Sequence, residues 1–188
     1  MLALTFAVGG ILTAVSAVKC PRDMGSLRTE YVAKSYDPSK LSGFFYEIAY
    51  EDILQAGETC QWFNETVVST GINEEFGFTI SKPASTAVRF EDTETAGVYM
   101  KYMGSSDVGM PTVVVDVTLS QDGLMYETVT EYTCYADGIK TYEEIKIGAR
   151  TSSVSASTMA SLEDTLHKQG IEYDTLTYVD QENCVYGA

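Results

Sequence analysis

The chain has 188 residues, which suits one domain with a sizeable core and argues against a second domain. Its 27 acidic and 12 basic residues give a formal net charge of −15. So acidic a surface repels phosphate groups, which argues against nucleic acid and anionic membrane surfaces as partners. Solubility is the simpler explanation of the acidity.

The first seventeen residues carry no charge and end in small residues, with Val15 and Ala17 at the positions that signal peptidase reads. They predict a cleaved signal peptide over residues 1–17, one domain over 18–188, and a secreted protein. Because the stretch lacks basic residues and approaches the length of a membrane span, a retained anchor is one alternative. Signal-dependent routing to a plastid is another, although no transit-peptide stretch follows Ala17.

The predicted mature chain contains four cysteines: Cys20, Cys60, Cys134 and Cys184. An even number in a secreted chain predicts two disulfides, and the residues themselves leave three connectivities open. No CxxC motif or Cys/His cluster indicates a metal site, and we expect no cofactor. Asn64 begins an Asn-Glu-Thr triplet, which is an N-glycosylation acceptor if the chain enters a eukaryotic secretory pathway.

After the predicted signal, the chain consists of short runs rich in β-branched and aromatic residues, separated by turn signals. Asp and Gly in the links 120–123 and 136–138 favour tight hairpins, and therefore antiparallel pairing of consecutive strands. Eight strands in this order close into an up-and-down barrel because closure removes exposed edges. The predicted strands cover residues 44–50, 60–70, 76–81, 87–91, 98–103, 112–119, 125–134 and 140–149.

One later segment has helical spacing. Met159, Leu162 and Leu166 predict an amphipathic helix over residues 157–169, and Gly170 is its stop signal. A short ninth strand is predicted at 173–179. The predicted fold class is therefore all-β: an eight-stranded antiparallel up-and-down β-barrel with one C-terminal α-helix and a short ninth strand.

Three local motifs, in this order of elements, resemble the lipocalin family, most closely its branch of apolipoprotein D and the bacterial outer-membrane lipocalins. The run DPSKLSGFFYEI at 37–48 looks like the family's opening Gly-x-Trp strand, with Gly43 in place and Phe45 where Trp is usual. Arg150 is similar to the family's terminal arginine, which lies over that aromatic ring at the closed end of the barrel. The run DQENC at 180–184 looks like the branch's Asp-Gln-x-Asn-Cys ending.

The resemblance implies pairing of Cys20 with Cys134 and of Cys60 with Cys184. It also implies a calyx that binds and transports or stores a small hydrophobic or amphiphilic molecule. We expect the protein to be a monomer. Because Phe is a weaker cation–π partner than Trp, we expect a weaker Arg150 contact and a less rigid closed end.

Strand alternation predicts which side chains line the cavity. On the sixth strand the odd set is apolar, which turns these residues inward: Val113, Val115, Val117 and Leu119. Tyr99, Met103, Tyr126 and Tyr132 are further candidates for the lining, or else ordinary barrel filling.

The eighth strand has two possible orientations. A simple apolar-inward pattern would turn Ile145 and Ile147 into the cavity. If the helix covers these isoleucines instead, Tyr142, Glu144 and Lys146 face inward and place a charged pair in the cavity. Buried charge is unfavourable unless it is paired or meets a polar group, so this orientation predicts an amphiphilic ligand.

Two other functions use the same scaffold. A lipocalin-like enzyme acting on a lipid or carotenoid is one, but we predict no enzyme and no catalytic residues. The cysteines are committed to bridges, His167 lies on the predicted helix, and adjacent carboxylates on a strand face opposite sides. A protein-interaction module that uses the barrel-mouth loops 52–59 and 104–110 is the other.

Overall fold

The protein forms a closed antiparallel barrel. The computed structural model describes residues 19–186, so the predicted signal peptide at 1–17 lies outside the described residues. Each strand pairs with the next, and β8 returns to pair with β1, which confirms the predicted eight-stranded barrel. The strands are β1 (Gly43–Glu51), β2 (Thr59–Val68), β3 (Gly71–Thr79), β4 (Pro83–Asp92), β5 (Val98–Met103), β6 (Met110–Leu119), β7 (Tyr126–Ala136) and β8 (Thr141–Ala149).

The third and fourth strands are longer than the sequence predicts. They pair from Gly71 with Glu91 to Thr79 with Pro83. Glu74 occupies the buried position between Ile72 and Phe76, so a charge interrupts the apolar alternation that marks a strand.

Three short helical segments that were not predicted from the sequence precede β1, and the second and third along the chain cover one end of the barrel. They are the 3₁₀ turns Met24–Leu27 and Pro38–Leu41 and the helix α1 (Glu30–Ser35). Thr29 caps α1 by accepting a hydrogen bond from the backbone of Val32. Val32 and Leu41 are fully buried in the barrel core, so this end is closed. A further 3₁₀ turn, Ile53–Gln55, lies between β1 and β2.

The C-terminal helix α2 (Ala156–Lys168) confirms the predicted helix. It begins at Ser155, whose hydroxyl accepts from the Thr158 backbone. It ends at Gly170, which has φ +77°, and Ile171 donates back to the Leu166 carbonyl at 3.0 Å. The apolar face of α2 packs on the outer wall of the barrel, where it covers Ile145 and Ile147. Among residues 19–186, no helix is both long and apolar enough to cross a bilayer.

The tail after α2 binds the outside of the barrel at β1. The ninth strand, β9 (Thr177–Tyr178), is shorter than the predicted 173–179 and pairs with β1. The disulfides join Cys60 to Cys184 and Cys20 to Cys134, as the resemblance implied. In the chain-entropy model, a disulfide that closes a loop of this length stabilises the folded protein by about 4 to 5 kcal/mol.

The tail also closes a seam in the barrel wall. The β1–β2 ladder extends only from the pair Gly43–Glu65 to the pair Tyr46–Trp62. Beyond it, the Gln181 amide donates at 2.8 Å to the carbonyls of both Glu47 and Gln61. Gln181 therefore bridges the two strands where their own hydrogen bonds stop.

Candidate functional site

The end of the barrel opposite the N-terminal cover contains a cavity of about 210 Å³. It lies beneath the β1–β2, β3–β4 and β5–β6 connections, and both apolar and polar side chains line it. The apolar ones are Leu54, Phe76, Phe78, Val88 and Met103. The polar ones are Asp52, Gln55, Glu58, Glu74, Thr86, Lys101, Glu144 and Lys146.

Two buried lysines lie among the polar side chains of the cavity, and both form ion pairs with glutamates. The Lys101 ammonium lies 2.6 Å from both oxygens of Glu144. Lys146 is only 1% exposed, and its ammonium lies 2.6 Å from Glu74 and 2.9 Å from Glu131. It also lies 4.1 Å above the ring of Phe63.

These pairs fix the charges of their members. Burial opposes the charge on Lys146, but Glu131 and Glu74 outweigh that effect and raise its pKa well above the ordinary value. Burial likewise opposes ionisation of Glu144, but the attraction of Lys101 and Lys146 lowers its pKa below the ordinary value. Both shifts favour the charged forms of Lys146 and Glu144.

Two other buried glutamates lack a cation of their own. Glu47 is 0% exposed, and burial raises its pKa well above the ordinary value against the attraction of Lys146. Glu65 is 2% exposed, and burial raises its pKa in the same direction, reinforced by Glu131 and Glu74. Among the described residues, the buried side-chain atoms without a hydrogen-bond partner are all oxygens: Glu47 Oε1, Gln55 Oε1, Gln61 Oε1, both Glu65 oxygens and Thr130 Oγ.

The structure places the eighth strand in the orientation with its charged residues inward. Glu144 and Lys146 line the cavity, while Ile145 and Ile147 lie under α2. Tyr142, predicted to face the cavity, does not line it, but its hydroxyl donates at 2.9 Å to Asp52, which does. Glu144 and Lys146 are therefore the residues that β8 contributes to the polar lining.

The sixth strand differs from the prediction. Val113 and Val115 pack in the outer core with α2, so the prediction that these two valines line the cavity is wrong. A β-bulge between Val114 and Asp116 shifts the pleat, so that Val114 and Val117 both join the inner core. Leu119, predicted to face inward, is 40% exposed.

The tyrosines predicted on the fifth and seventh strands lie in two different places. Tyr99 and Tyr126 are buried in the inner core near the closed end, away from the cavity lining. Tyr99 exchanges a hydrogen bond with Tyr36 at 2.9 Å, and the Tyr126 hydroxyl accepts from the Asp37 backbone at 2.8 Å. Tyr132 packs in the outer core, so the prediction that it faces the cavity is wrong.

The signature residues meet at the closed end. Arg150 stacks on Phe45, with 3.6 Å between its guanidinium carbon and the ring centroid. Its nitrogens also donate to the backbone carbonyls of Lys40, Leu41, Ser42, Phe44 and Tyr126. Gly43 has φ +106°, and a Cβ there would lie 3.2 Å from Arg150. Whether the closed end is less rigid with Phe than with Trp stays a prediction.

Several site residues were missed by the sequence analysis, namely Glu47, Lys101, Glu65 and Glu131. Glu65 and Glu131 have polar neighbours, whereas Glu47 and Lys101 each sit inside an apolar or aromatic run, as in Phe45-Tyr46-Glu47-Ile48. That position of a charge within a predicted strand is the signal that indicates a polar interior.

No family model and no curated protein sequence matches the chain. Several solved structures do match its fold. Lobster apocrustacyanin A1 is 13% identical with a TM-score of 0.60, over 80% of this chain and 89% of that one. Insecticyanin from the tobacco hornworm Manduca sexta is 15% identical with a TM-score of 0.61, over 79% and 82%. The siderocalin Ex-FABP is 12% identical with a TM-score of 0.55, over 79% and 96%.

All three are lipocalins, and their likeness to this chain extends over the barrel. Identities this low establish architecture and nothing finer. The closed eight-stranded barrel, the helix packed on its outer wall and the ninth strand bonded outside it together show that this chain has the lipocalin fold.

Proposed function

We propose that the protein binds a small amphiphilic molecule in its calyx and transports or stores it. The observation that carries this proposal is the mixed lining of the cavity, which combines Phe76, Phe78 and Val88 with the buried ion pairs of Lys101 and Lys146. An apolar pocket with a few placed polar groups is the usual form of a small-molecule site. One matched protein, the siderocalin Ex-FABP, is described as functioning through dual ligand specificities.

We further propose membership of the apolipoprotein D and bacterial lipocalin branch. Its support is the DQENC tail, because Gln181 bridges β1 and β2 and Cys184 anchors the tail to β2. The two disulfides support secretion after removal of residues 1–17 and a mature domain from residue 18. Asn64 is exposed on the outer face of β2, which suits glycosylation. We also propose that the protein is a monomer.

Carriage without chemical change fits the interior better than catalysis. His167 lies on the exposed face of α2, stacked on Tyr173 and outside the barrel. The buried lysines of the calyx are held in ion pairs, so neither offers a free amine as nucleophile or base. We therefore propose a binding protein and not an enzyme.

Blocking the cavity tests this function. Thr86 lines the calyx, whereas its neighbour Ala87 is exposed on the outer face of β4. We expect delipidated protein to bind the neutral fluorophore N-phenylnaphthylamine, and Thr86→Trp to weaken this binding by about tenfold or more, measured by fluorescence titration. Ala87→Trp adds the same ring outside and should leave binding unchanged. Equal affinities for both variants would place the binding site outside the calyx.

A further inference from the structure

The calyx interior contains more carboxyl groups than amines. Two buried lysines share it with five buried glutamates: Glu47, Glu65, Glu74, Glu131 and Glu144. Both lysines are already engaged, Lys101 by Glu144 and Lys146 by Glu74 and Glu131. An anionic headgroup would have to displace one of these carboxylates and leave it buried without a partner, which is strongly unfavourable.

Three unpaired side-chain oxygens lie on the polar lining of the cavity or directly behind it, and the two amide oxygens among them are hydrogen-bond acceptors. Glu47 comes from β1, Gln55 from the following 3₁₀ turn and Gln61 from β2, and each has an unpartnered Oε1. Gln55 lines the cavity, and its amide donates to the second Glu47 oxygen at 3.4 Å. Gln61 donates to Glu58, which also lines the cavity, at 3.1 Å. Because a buried acceptor without a donor is unfavourable, this wall is complementary to a ligand that donates.

We propose that the calyx selects an amphiphilic cation, a protonated amine on a compact apolar body, whose ammonium group binds at Glu47 and Gln55. Its apolar part lies against Phe76, Phe78 and Val88. This inference rests on the proposed calyx function and names the ligand class. An ammonium group has three hydrogen-bond donors and no acceptor, so it can donate to several of these oxygens at once. An alcohol has one donor, and a carboxylate has none and repels the oxygens.

Binding of the cation is coupled to a proton. Burial raises the pKa of Glu47 well above its ordinary value, which favours the protonated carboxyl. A protonated Glu47 releases its proton to solvent when the ammonium arrives, and the carboxylate pairs with the ligand. The charged groups that face Glu47 are Glu144 and Lys146 on β8, Glu74 on β3 and Lys101 on β5.

Three eight-carbon probes that differ only in their headgroup test this selectivity: octylamine, octanol and octanoate. We expect calorimetric titration of the mature, disulfide-bonded protein near about pH 7 to show octylamine binding about tenfold or more tighter than octanol, with octanoate weakest. Repeating the titration in buffers of different ionisation enthalpy should show release of about one proton per amine bound.

Matched variants locate the effect. Glu47→Gln should abolish the preference for octylamine over octanol and the proton release, while Glu75→Gln, on the exposed face of β3, should keep both. If Glu47→Gln does not fold, the headgroup order of the wild type decides alone. Octanol or octanoate binding as tightly as octylamine, or a preference that survives Glu47→Gln, overturns the inference and leaves the calyx function standing. Failure of all three probes to bind contradicts the calyx function itself.

Discussion

At the scale of single residues, Arg150 stabilises the closed end of the barrel by hydrogen bonds in addition to its stacking contact. Its guanidinium lies on Phe45 and donates to five backbone carbonyls from two separate segments of chain. A lysine keeps the charge but has neither the planar fork nor its five donors. Arg150 therefore holds the closed end through hydrogen bonds as well as through stacking on Phe45.

We expect Arg150→Lys to lower the free energy of unfolding by about 2 kcal/mol, since several charge-assisted hydrogen bonds are lost at once. Urea unfolding measures the change. Arg89→Lys is the control, because Arg89 lies on the exposed face of β4 and should change stability by less than about 0.5 kcal/mol. A loss no larger at Arg150 than at Arg89 would show that the closed end depends on Phe45 and its apolar neighbours instead.

At the scale of elements, the tail after α2 acts as part of the barrel wall. The Gln181 amide group supplies the hydrogen bonds that β1 and β2 do not make to each other beyond Tyr46 and Trp62. Gln181→Glu keeps the size of the side chain but removes both donors. The carbonyls of Glu47 and Gln61 then lose a partner, and a carboxylate is placed against them.

We expect Gln181→Glu to cost about 2 to 4 kcal/mol of stability and to accelerate amide hydrogen exchange in β1 and β2 beyond the seam. Gln121→Glu, in the exposed β6–β7 connection, makes the same chemical change at the surface and should cost less than about 0.5 kcal/mol. Exchange that rises evenly over the whole barrel in Gln181→Glu would contradict a local role at the seam.

The elements with strong local signals could be predicted from the sequence. The helix was predicted because Met159, Leu162 and Leu166 repeat at helical spacing and Gly170 follows them. The orientation of the first half of β6 could not be predicted. One extra residue at the bulge after Val114 turns the side chains before it to the opposite face from the one that simple alternation predicts.

The cavity wall was only partly predictable, for a different reason. Alternation along β8 predicts that Lys146 faces inward if α2 covers the isoleucines on the outer wall, and the structure has this arrangement. The partners of this lysine, Glu74 and Glu131, come from β3 and β7, and pairing across the barrel depends on the register of every strand between them. The polar network is therefore a property of the closed barrel and not of any single strand.

At the scale of the whole molecule, the buried carboxyls determine how stability depends on pH. Burial raises the pKa of Glu47, Glu65 and Glu74 above their ordinary value of 4.5. Above about pH 4.5 the unfolded chain therefore binds fewer protons than the folded protein, and stability falls as pH rises toward the folded pKa values. Glu144 acts in the opposite direction, because its lowered pKa gives stability that is lost as pH falls below 4.5.

We expect the free energy of unfolding of the ligand-free protein to fall between about pH 5 and pH 8, with a slope of about 1.4 kcal/mol per pH unit for each proton involved. Urea unfolding across this range measures it. Glu65→Gln should flatten the slope, because this glutamine is neutral in both states, whereas Glu75→Gln on the outer face should not. Stability that stays level or rises over this range would mean that the interior glutamates ionise freely. In that case an amine would displace no proton on binding, so the pH profile of the empty barrel also bears on its choice of ligand.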